Sequence, residues 1–314
     1  MRFFSVIIPL FNKVEYIERC LQSVIGQSYQ AYEVIVVNDG STDGGEIKVQ
    51  AYQNETINLI SQINQGVSVA RNNGVNQSKY DFVVFLDADD TWADNFLYEL
   101  NNLIDHYPQA GIYGINHFYK YENGKTTSEN YDRLFNGQTS GILKDYFKIF
   151  AKLGKSPFSN SGCCFPKGIF NKVGGYKPGI KTTEDSDLWC RIALTSEVAF
   201  HIIPLVTYYL ETPNNTRQLM DFHDHQVSIT LQEYLSANKV PKEYIQSINE
   251  LIASFQLDLV KKAILTGHNK YAIRKLFDKR LLSNYPINSL LLFCVALVPS
   301  KLFFFFIHLS KKIS

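Results

Sequence analysis

The sequence predicts an α/β protein: a doubly wound, mostly parallel sheet followed by a C-terminal helical extension. Three observations predict it. Short apolar runs alternate with helical patterns over roughly the first 90 residues, the arrangement that builds parallel strands through helical crossovers. The second and fourth of these runs stop at Asn-, Asp- and Gly-rich turns, as strands do on leaving a buried sheet. From Thr216 onward the strand pattern gives way to helical periodicity, which sets a domain boundary near 215.

Phe3 to Pro9 is a β-rich run ended by proline, a first buried strand. Lys13 to Ile25 carries apolar residues at Val14, Ile17, Leu21, Val24 and Ile25, the spacing of an amphipathic helix, with Asn12 as its N-cap. Glu33 to Val37 and Ile57 to Ile63 are the next strands, and Gly66 to Asn73 is a turn entering a helix. Asp81 to Leu86 is the fourth strand, apolar enough to be buried on both faces. A helix from Trp92 to Leu103 follows, capped by Asp90 or Thr91. Gly111 to Glu122 reads as a long aromatic strand, and Asn123-Gly124 as a hairpin turn. Residues 125–160 are polar and irregular, with one helix near Leu143 to Lys152. Cys163 to Pro166 is a short strand, and Lys167 to Val173 a short helix ended by Gly174-Gly175. Glu184 to Thr195 is helical and Val198 to Glu211 an apolar strand. Helices are expected over roughly 217–236, 241–266, 269–280 and 287–309.

A net charge of +1 argues against nucleic acid as a partner. The total hides an asymmetry: from Lys239 onward 12 Lys and Arg stand against 4 Asp and Glu, so +8, which leaves +1 − 8 = −7 for residues 1–238. A basic tail on a mildly acidic body points to an anionic surface. The five cysteines lack metal-site spacing and read as buried reduced thiols. The N-terminal apolar run is short, contains Pro9 and runs straight into charged sequence, unlike a signal peptide, so a cytoplasmic location is expected. The patterns at Asn54 and Asn214 that would accept N-glycosylation are then chance.

The chemistry-bearing residues lie at strand ends. Pro9-Leu10-Phe11-Asn12, Asn38-Asp39-Gly40-Ser41 and Asp87-Ala88-Asp89 end three strands, and in a parallel sheet their carboxyl ends share one crevice. Asp87, Asp89 and Asp90 crowd like charges together, which calls for a cation or a solvated turn. Asp39 can accept a hydrogen bond from a base N–H, with Gly40 turning the chain to aim it, or it can belong to an ordinary turn. The fork of Arg71 suits a phosphate or a base edge, although a lone helical Arg is usually salt-bridged. His223 and His225 with Asp221 and Asp224 fall at i, i+2 on an expected helix, so their rings point apart and a metal role is disfavoured.

Five stretches together resemble the family-2 inverting glycosyltransferases. They are Ser5-Val6-Ile7-Ile8-Pro9, Val36 to Asp43, Asn64-Gln65-Gly66 with Ala70-Arg71-Asn72, Phe85 to Asp90, and Thr183 to Trp189, in order across residues 3–211. The resemblance implies a GT-A fold over residues 1–215, with a Rossmann-like nucleotide-sugar half (1–105) and an acceptor half (106–215). It implies that Pro9 and Glu15 border base and ribose, Asp39 holds the base, and Arg71 binds base or diphosphate. Asp87 would contact ribose or donor sugar, Asp89 would ligate Mn²⁺ or Mg²⁺ on the diphosphate, and Asp185 would be the base that deprotonates an acceptor hydroxyl. Glu184 and Asp187 are rivals for that last role. UDP is the carrier the family suggests. Asn38 stands where the family often has a second Asp, and no Gln-x-x-Arg-Trp occurs, which speaks against processive polymer synthesis.

The activity the resemblance implies is therefore transfer of one sugar to a glycan, one linked to lipid, in cell-surface polysaccharide synthesis. A nucleotide-sugar-binding protein without turnover is the alternative. A nucleotidyltransferase would want a Gly-rich phosphate loop after strand one, and Leu10 to Lys13 contains no glycine. In residues 216–314, Leu290 to Val298 and Leu302 to Leu309 are apolar runs split by Pro299-Ser300-Lys301. Two short pieces fit a helical pair lying on the inner face of the cytoplasmic membrane better than a span, with Lys301, Lys311, Lys312 and the basic residues upstream meeting anionic headgroups. The same helices could instead pack on the catalytic body or form a homodimer.

Overall fold

A computed structural model of the chain describes residues 1–180, 182–210 and 225–297. These fall into two compact units, one within Met1–Tyr146 and Ser156–Gln218, the other within Phe147–Lys155 and Leu219–Ser314.

The first unit opens with β1 (Phe4–Leu10), α1 (Ile17–Ile25), β2 (Tyr32–Asn38), α2 (Gly45–Gln50), β3 (Ile57–Ser61), α3 (Val67–Gln77), β4 (Phe82–Phe85), β5 (Thr91–Trp92) and α4 (Phe96–His106). It continues with β6 (Ile112–Lys120), β7 (Thr126–Ser128), β8 (Ser140–Ile142), a 3₁₀ turn at Asn160–Gly162, β9 (Cys163–Pro166), α6 (Lys167–Lys172), α7 (Glu184–Ala193) and β10 (Val198–Tyr209). Helix α5 (Tyr146–Leu153) falls almost wholly in the second unit. Among the described residues ten strands form one sheet, in the order β3-β2-β1-β4-β9-β6-β10-β5, with β7 on β6 and β8 on β10.

The pairs β1–β2, β1–β4, β2–β3 and β6–β10 are parallel. β1 and β2 are buried along nearly their whole length, which is why they read as continuous apolar runs. β9 runs antiparallel between β4 and β6 and joins the two halves of the sheet. Helix α3 lies so close to β1 that a Cβ at Gly74 would collide with Ile7. The register sets Leu10 beside Asn38 and Ile7 beside Phe85, so the chain leaves β1, β2 and β4 at one edge. Backbone bonds from Asp39 to Leu10 (2.8 Å) and from Leu86 to Ile7 (3.1 Å) continue the ladder past the strand ends.

Several expectations need correction. Asn12 does not cap α1, which begins at Ile17; Asn12 has φ 51° and its Oδ1 accepts from the Thr42 amide at 2.9 Å, tying two loops together. Helix α4 begins at Phe96, because Thr91–Trp92 pair with β10 and Asp90 is buried. Residues 125–160 are less irregular than expected: they hold β7 and β8 as well as a helix. Helix α2, only six residues long, is an addition, since the sequence predicts no element between the turn after the second strand and Ile57.

The second unit holds α5, α8 (Gln226–Ser236), α9 (Ile245–Leu265), α10 (Asn269–Leu276), α11 (Lys279–Asn284) and α12 (Pro286–Leu297). α5 joins it through Phe147 on Tyr244 (5.4 Å between ring centres) and Phe150 on Phe255 (5.5 Å). Its core gathers Leu257, Val260, Ile264, Leu276 and Leu281. His225 stacks on Phe255, and burial, with Lys262 adding, pushes its imidazole down to about 4. The other members of that His/Asp group, Asp221, His223 and Asp224, lie outside the described residues, as does Asn214. Four of the cysteines are buried free thiols, but Cys294 on α12 is exposed.

Among the described residues no helix is long and apolar enough to cross a membrane. α12 is a 12-residue helix whose Ile287, Leu290 and Leu291 are 61–72% exposed. The expected second apolar piece, Leu302 to Leu309, with Pro299-Ser300-Lys301, Lys311 and Lys312, lies outside the described residues.

Candidate active site

Three loops at the carboxyl edge of β1, β2 and β4 build one side of the site. Pro9 is part of β1, in register with Val37. Glu15 is exposed in the turn before α1. Asp39 is only 3% exposed, and its carboxylate accepts from Gln62 Nε2 (2.7 Å), the Gln65 amide (2.8 Å) and the Gly66 amide (2.9 Å). A carboxylate offers about four lone-pair sites, so one remains for a ligand donor. Gly40 makes this possible: its φ is +73°, and a Cβ there would meet the Asn64 backbone at 3.0 Å.

The three carboxylates after β4 have separate surroundings. Asp87 Oδ1 takes a 2.7 Å ion pair from Arg71. Asp89 Oδ2 takes Lys13 Nζ at 2.7 Å, and the Asp89 carbonyl accepts from Arg19 at 2.8 Å. Asp90 points inward. It accepts from the Ser161 hydroxyl at 2.6 Å and the Tyr209 amide at 3.3 Å, and burial, with Asp89 and Asp87 nearby, pushes its carboxyl well above the usual range. The reading of one solvated acidic cluster is therefore wrong for Asp90, which is buried and ties the loop after β4 to the 3₁₀ turn at Asn160–Gly162 and to β10.

Among the described residues no three His, Cys, Asp or Glu side chains converge as a metal cage. The residues present still fit a hard cation of the Mg²⁺ or Mn²⁺ kind. Such ions are commonly held by one or two carboxylates plus substrate phosphates. Asp89 is a partly exposed carboxylate that already holds a cation, the ammonium of Lys13.

The opposite side is built by α7. Thr183, in the left-handed region at φ 66°, turns the chain into the helix and brings Glu184, Asp185 and Asp187 into its first turn. The helix dipole favours carboxylates there. Glu184 Oε1 accepts from Arg71 at 2.8 Å, so Arg71 bridges Asp87 and Glu184. Asp185 is partly buried and accepts from the Ser186 amide at 2.5 Å. Desolvation, reinforced by Glu184, pushes its carboxyl up to about 7. A carboxylate poised there suits proton transfer near neutral pH.

These positions bear on two expected roles. Arg71, expected to bind base or diphosphate, has a side chain only 4% exposed, with both ends of its fork in ion pairs. Burial works against its charge, and Asp87, with Tyr176 and Glu184, outweighs that and pushes the guanidinium up. Asp187 is not a rival base. It is fully buried, paired with Arg191 Nε (2.8 Å) and Lys177 Nζ (3.2 Å). Sequence reasoning did not single out Lys13, Asn160 or Tyr176. Lys13 carries a signal in hindsight, following Pro9-Leu10-Phe11-Asn12 on a strand-end loop; Asn160 and Tyr176 lie in stretches with none.

The family model described as Glycosyl transferase family 2 matches residues 5–173. The chain is similar to the glycosyltransferase GlyA of Streptococcus pneumoniae (38% identity over 123 residues, 38% of this chain and 17% of that protein). It is also similar to the glycosyltransferase AglE of Haloferax volcanii (38% over 146 residues, 43% of this chain and 46% of that protein). The chain thus spans less than half the length of these two relatives. An uncharacterised glycosyltransferase of Rickettsia typhi matches over nearly full length, 25% identical over 91% of this chain and 92% of that one. Among solved structures, residues 1–349 of Staphylococcus aureus TarS with UDP-GlcNAc superpose with a TM-score of 0.62 at 18% identity, over 92% of this chain and 90% of that one. The mannosyltransferase PcManGT of Pyrobaculum calidifontis, with GDP-Man and Mn²⁺, gives 0.56 at 17%, over 95% and 87%. These likenesses establish the GT-A fold.

Proposed function

The chain belongs to glycosyl transferase family 2, and we propose that it moves one sugar from a nucleoside-diphosphate sugar, a UDP-sugar first among them, to a hydroxyl of a glycan acceptor. The observation that carries this reading is Asp185. It is a carboxylate with its pKa raised to about 7, opening α7 next to the Arg71-bridged pair Asp87 and Glu184. Asp39, with one lone-pair site left, holds the base, and Pro9 and Glu15 border it. Asp87 lies by the ribose or donor sugar.

In the proposed reaction the acceptor oxygen attacks the anomeric carbon from the face opposite the diphosphate. The C–O bond to the diphosphate breaks, Asp185 takes the hydroxyl proton, and the configuration inverts. A divalent Mn²⁺ or Mg²⁺ held by Asp89 supplies, when bound, neutralisation of charge on the departing diphosphate. The neighbours with UDP-GlcNAc and with GDP-Man and Mn²⁺ support a nucleotide-sugar donor and a divalent ion.

The test is a calorimetric screen of UDP- and GDP-sugars with Mn²⁺ and with EDTA, followed by product analysis. Asp89→Ala is expected to remove the metal-dependent part of donor affinity while the chain stays folded, because Asp89 lies in the loop after β4 with a partly exposed side chain. Equal donor affinity in EDTA, or in Asp89→Ala with Mn²⁺, would show that Asp89 holds no metal. Donor binding without transfer or hydrolysis would instead leave a sugar-nucleotide-binding protein.

The acceptor is proposed to be lipid-linked, in cell-surface polysaccharide synthesis at the inner face of the cytoplasmic membrane. Support comes from the exposed apolar row Ile287, Leu290, Leu291 on α12, with exposed Arg274 and Lys279 on the helices before it. Apolar side chains and basic groups together suit an anionic interface. Full-length protein is expected to float with vesicles containing phosphatidylglycerol, and Leu290→Glu with Leu291→Glu to reduce that binding about tenfold or more. Both residues point to solvent, so the fold should tolerate the change. Vesicle binding that is absent in the native chain, or unaltered in the variant, counts against a membrane role for α12.

A further inference from the structure

Arg71 reaches both sides of the site. Its Nη2 pairs with Asp87 at 2.7 Å, at the end of β4, and its Nη1 pairs with Glu184 at 2.8 Å, at the start of α7. These residues are far apart in sequence, and the guanidinium bridges them. The fork is itself clamped. Its Cζ lies 5.2 Å from the centre of the Tyr176 ring, and the Asn160 amide, oriented to donate to the Tyr176 hydroxyl, accepts from Arg71 Nε at 3.1 Å. Nε, Nη1 and Nη2 are thus each engaged, and lysine, a compact point charge without the planar fork, cannot reproduce that spread of contacts. A group this buried and this fully engaged is poorly disposed to leave for a ligand.

We infer that Arg71 is a positioning residue. It fixes the distance between the donor carboxylate Asp87 and the helix start that carries Asp185, through Glu184, the residue just before the base. This rests on the transfer reaction proposed above and assigns Arg71 a role different from contact with base or diphosphate. The strut makes two otherwise separate walls of the crevice into one rigid frame. A misplacement of about 1 Å between reacting groups can cost about 10²-fold in rate, so the frame acts on turnover and not on donor affinity.

The experiment compares the full chain with Arg71→Lys, Glu184→Gln and the double variant. Steady-state turnover with the best nucleotide sugar is measured on the same samples as UDP affinity by calorimetry and melting temperature. Arg71→Lys is expected to lower kcat about 10²-fold with UDP affinity within about twofold of native. The double variant should lose little more than the worse single one, because both act on one contact. A tenfold loss of UDP affinity with kcat preserved overturns the inference in favour of direct donor contact. Turnover that falls only in proportion to the folded fraction overturns it in favour of a purely structural role. If Arg71→Lys does not fold, Glu184→Gln carries the test alone, since it keeps the size of a partly exposed residue: kcat must fall with UDP affinity intact, and native kcat overturns the inference. A native chain that binds no UDP or GDP and turns over none of their sugars refutes the transfer reading and the strut with it. Native turnover with unaffected variants refutes the strut alone.

Discussion

Asp185→Asn is expected to bind donor as the native chain does and to transfer sugar about 10²–10⁴-fold more slowly, the scale on which a general base contributes. The change keeps size and polarity and removes only the ability to take a proton. Glu184 is the nearest substitute, but its carboxylate is committed to Arg71 at 2.8 Å, which holds it away from an acceptor hydroxyl. The product of the native enzyme should have the opposite anomeric configuration to the donor. Retained configuration, or near-native transfer by Asp185→Asn, would remove Asp185 from the role.

The pH dependence follows from the same carboxyl. Desolvation, then Glu184, raises Asp185 from 3.8 to about 7, with Asp87 adding, while the Ser186 amide and Arg71 oppose the rise. A base must be unprotonated, so turnover should climb as pH passes through about 7 and level off above it. The stability sign is the reverse. A folded-state value above the unfolded one stabilises the fold fully below about pH 4, and that contribution is lost as pH rises through about 7. Asp185→Asn should therefore melt no lower than the native chain at pH 8, and it should lack the acidic limb in any residual rate. A limb that persists unchanged in the variant would belong to another group.

Why some of this was legible and some was not comes down to the range of the interaction. β1, β2 and β4 announce themselves because both faces are covered, so most positions are apolar, with Ser5, Glu33 and Asn38 the polar exceptions, and little alternation confuses the pattern. Their ends are legible for the same reason, since polar residues begin where cover stops. β9 reads as a strand, but its antiparallel direction between β4 and β6 depends on a path through residues 125–160 that carries no local signal. β5, β7 and β8, at two or three residues each, are too short to show a period. Within the site, carboxylates three positions apart look alike in a string. Asp90 is separated from Asp89 by its bond to Ser161, 71 residues away, and Arg71 is turned inward by Glu184, 113 residues away. Asn12 misled because Asn before an amphipathic run is the usual cap, and here a partner in the next loop, Thr42, wins its side chain.

Asp187→Ala, two positions from the base, is expected to have the opposite phenotype: loss of stability, with no direct effect on the chemistry. Asp187 has no exposed surface and meets Arg191, one turn along α7, at 2.8 Å. Arg191 in turn donates to the Val173 carbonyl at 2.6 Å and the Gly175 carbonyl at 2.7 Å, so the pair fastens α7 to the turn after α6. Removing one partner leaves a buried guanidinium without its counter-charge, which typically costs about 3–5 kcal/mol. For a unit of roughly 200 residues, about 1 kcal/mol moves the melting temperature by about 2–4 °C, so a fall on the order of 10 °C is expected. Asp187→Asn should fall less, because it still accepts from Arg191. Where the Asp187 variants remain folded, their turnover per folded molecule and their pH profile should match the native chain, whereas Asp185→Asn stays folded and loses turnover. Scanning calorimetry alongside rates at a temperature below both transitions separates the two. An Asp187→Ala chain that melts with the native one, or that is folded and inactive, would mean that the buried pair is not what fastens α7, or that Asp187 shares the proton with Asp185.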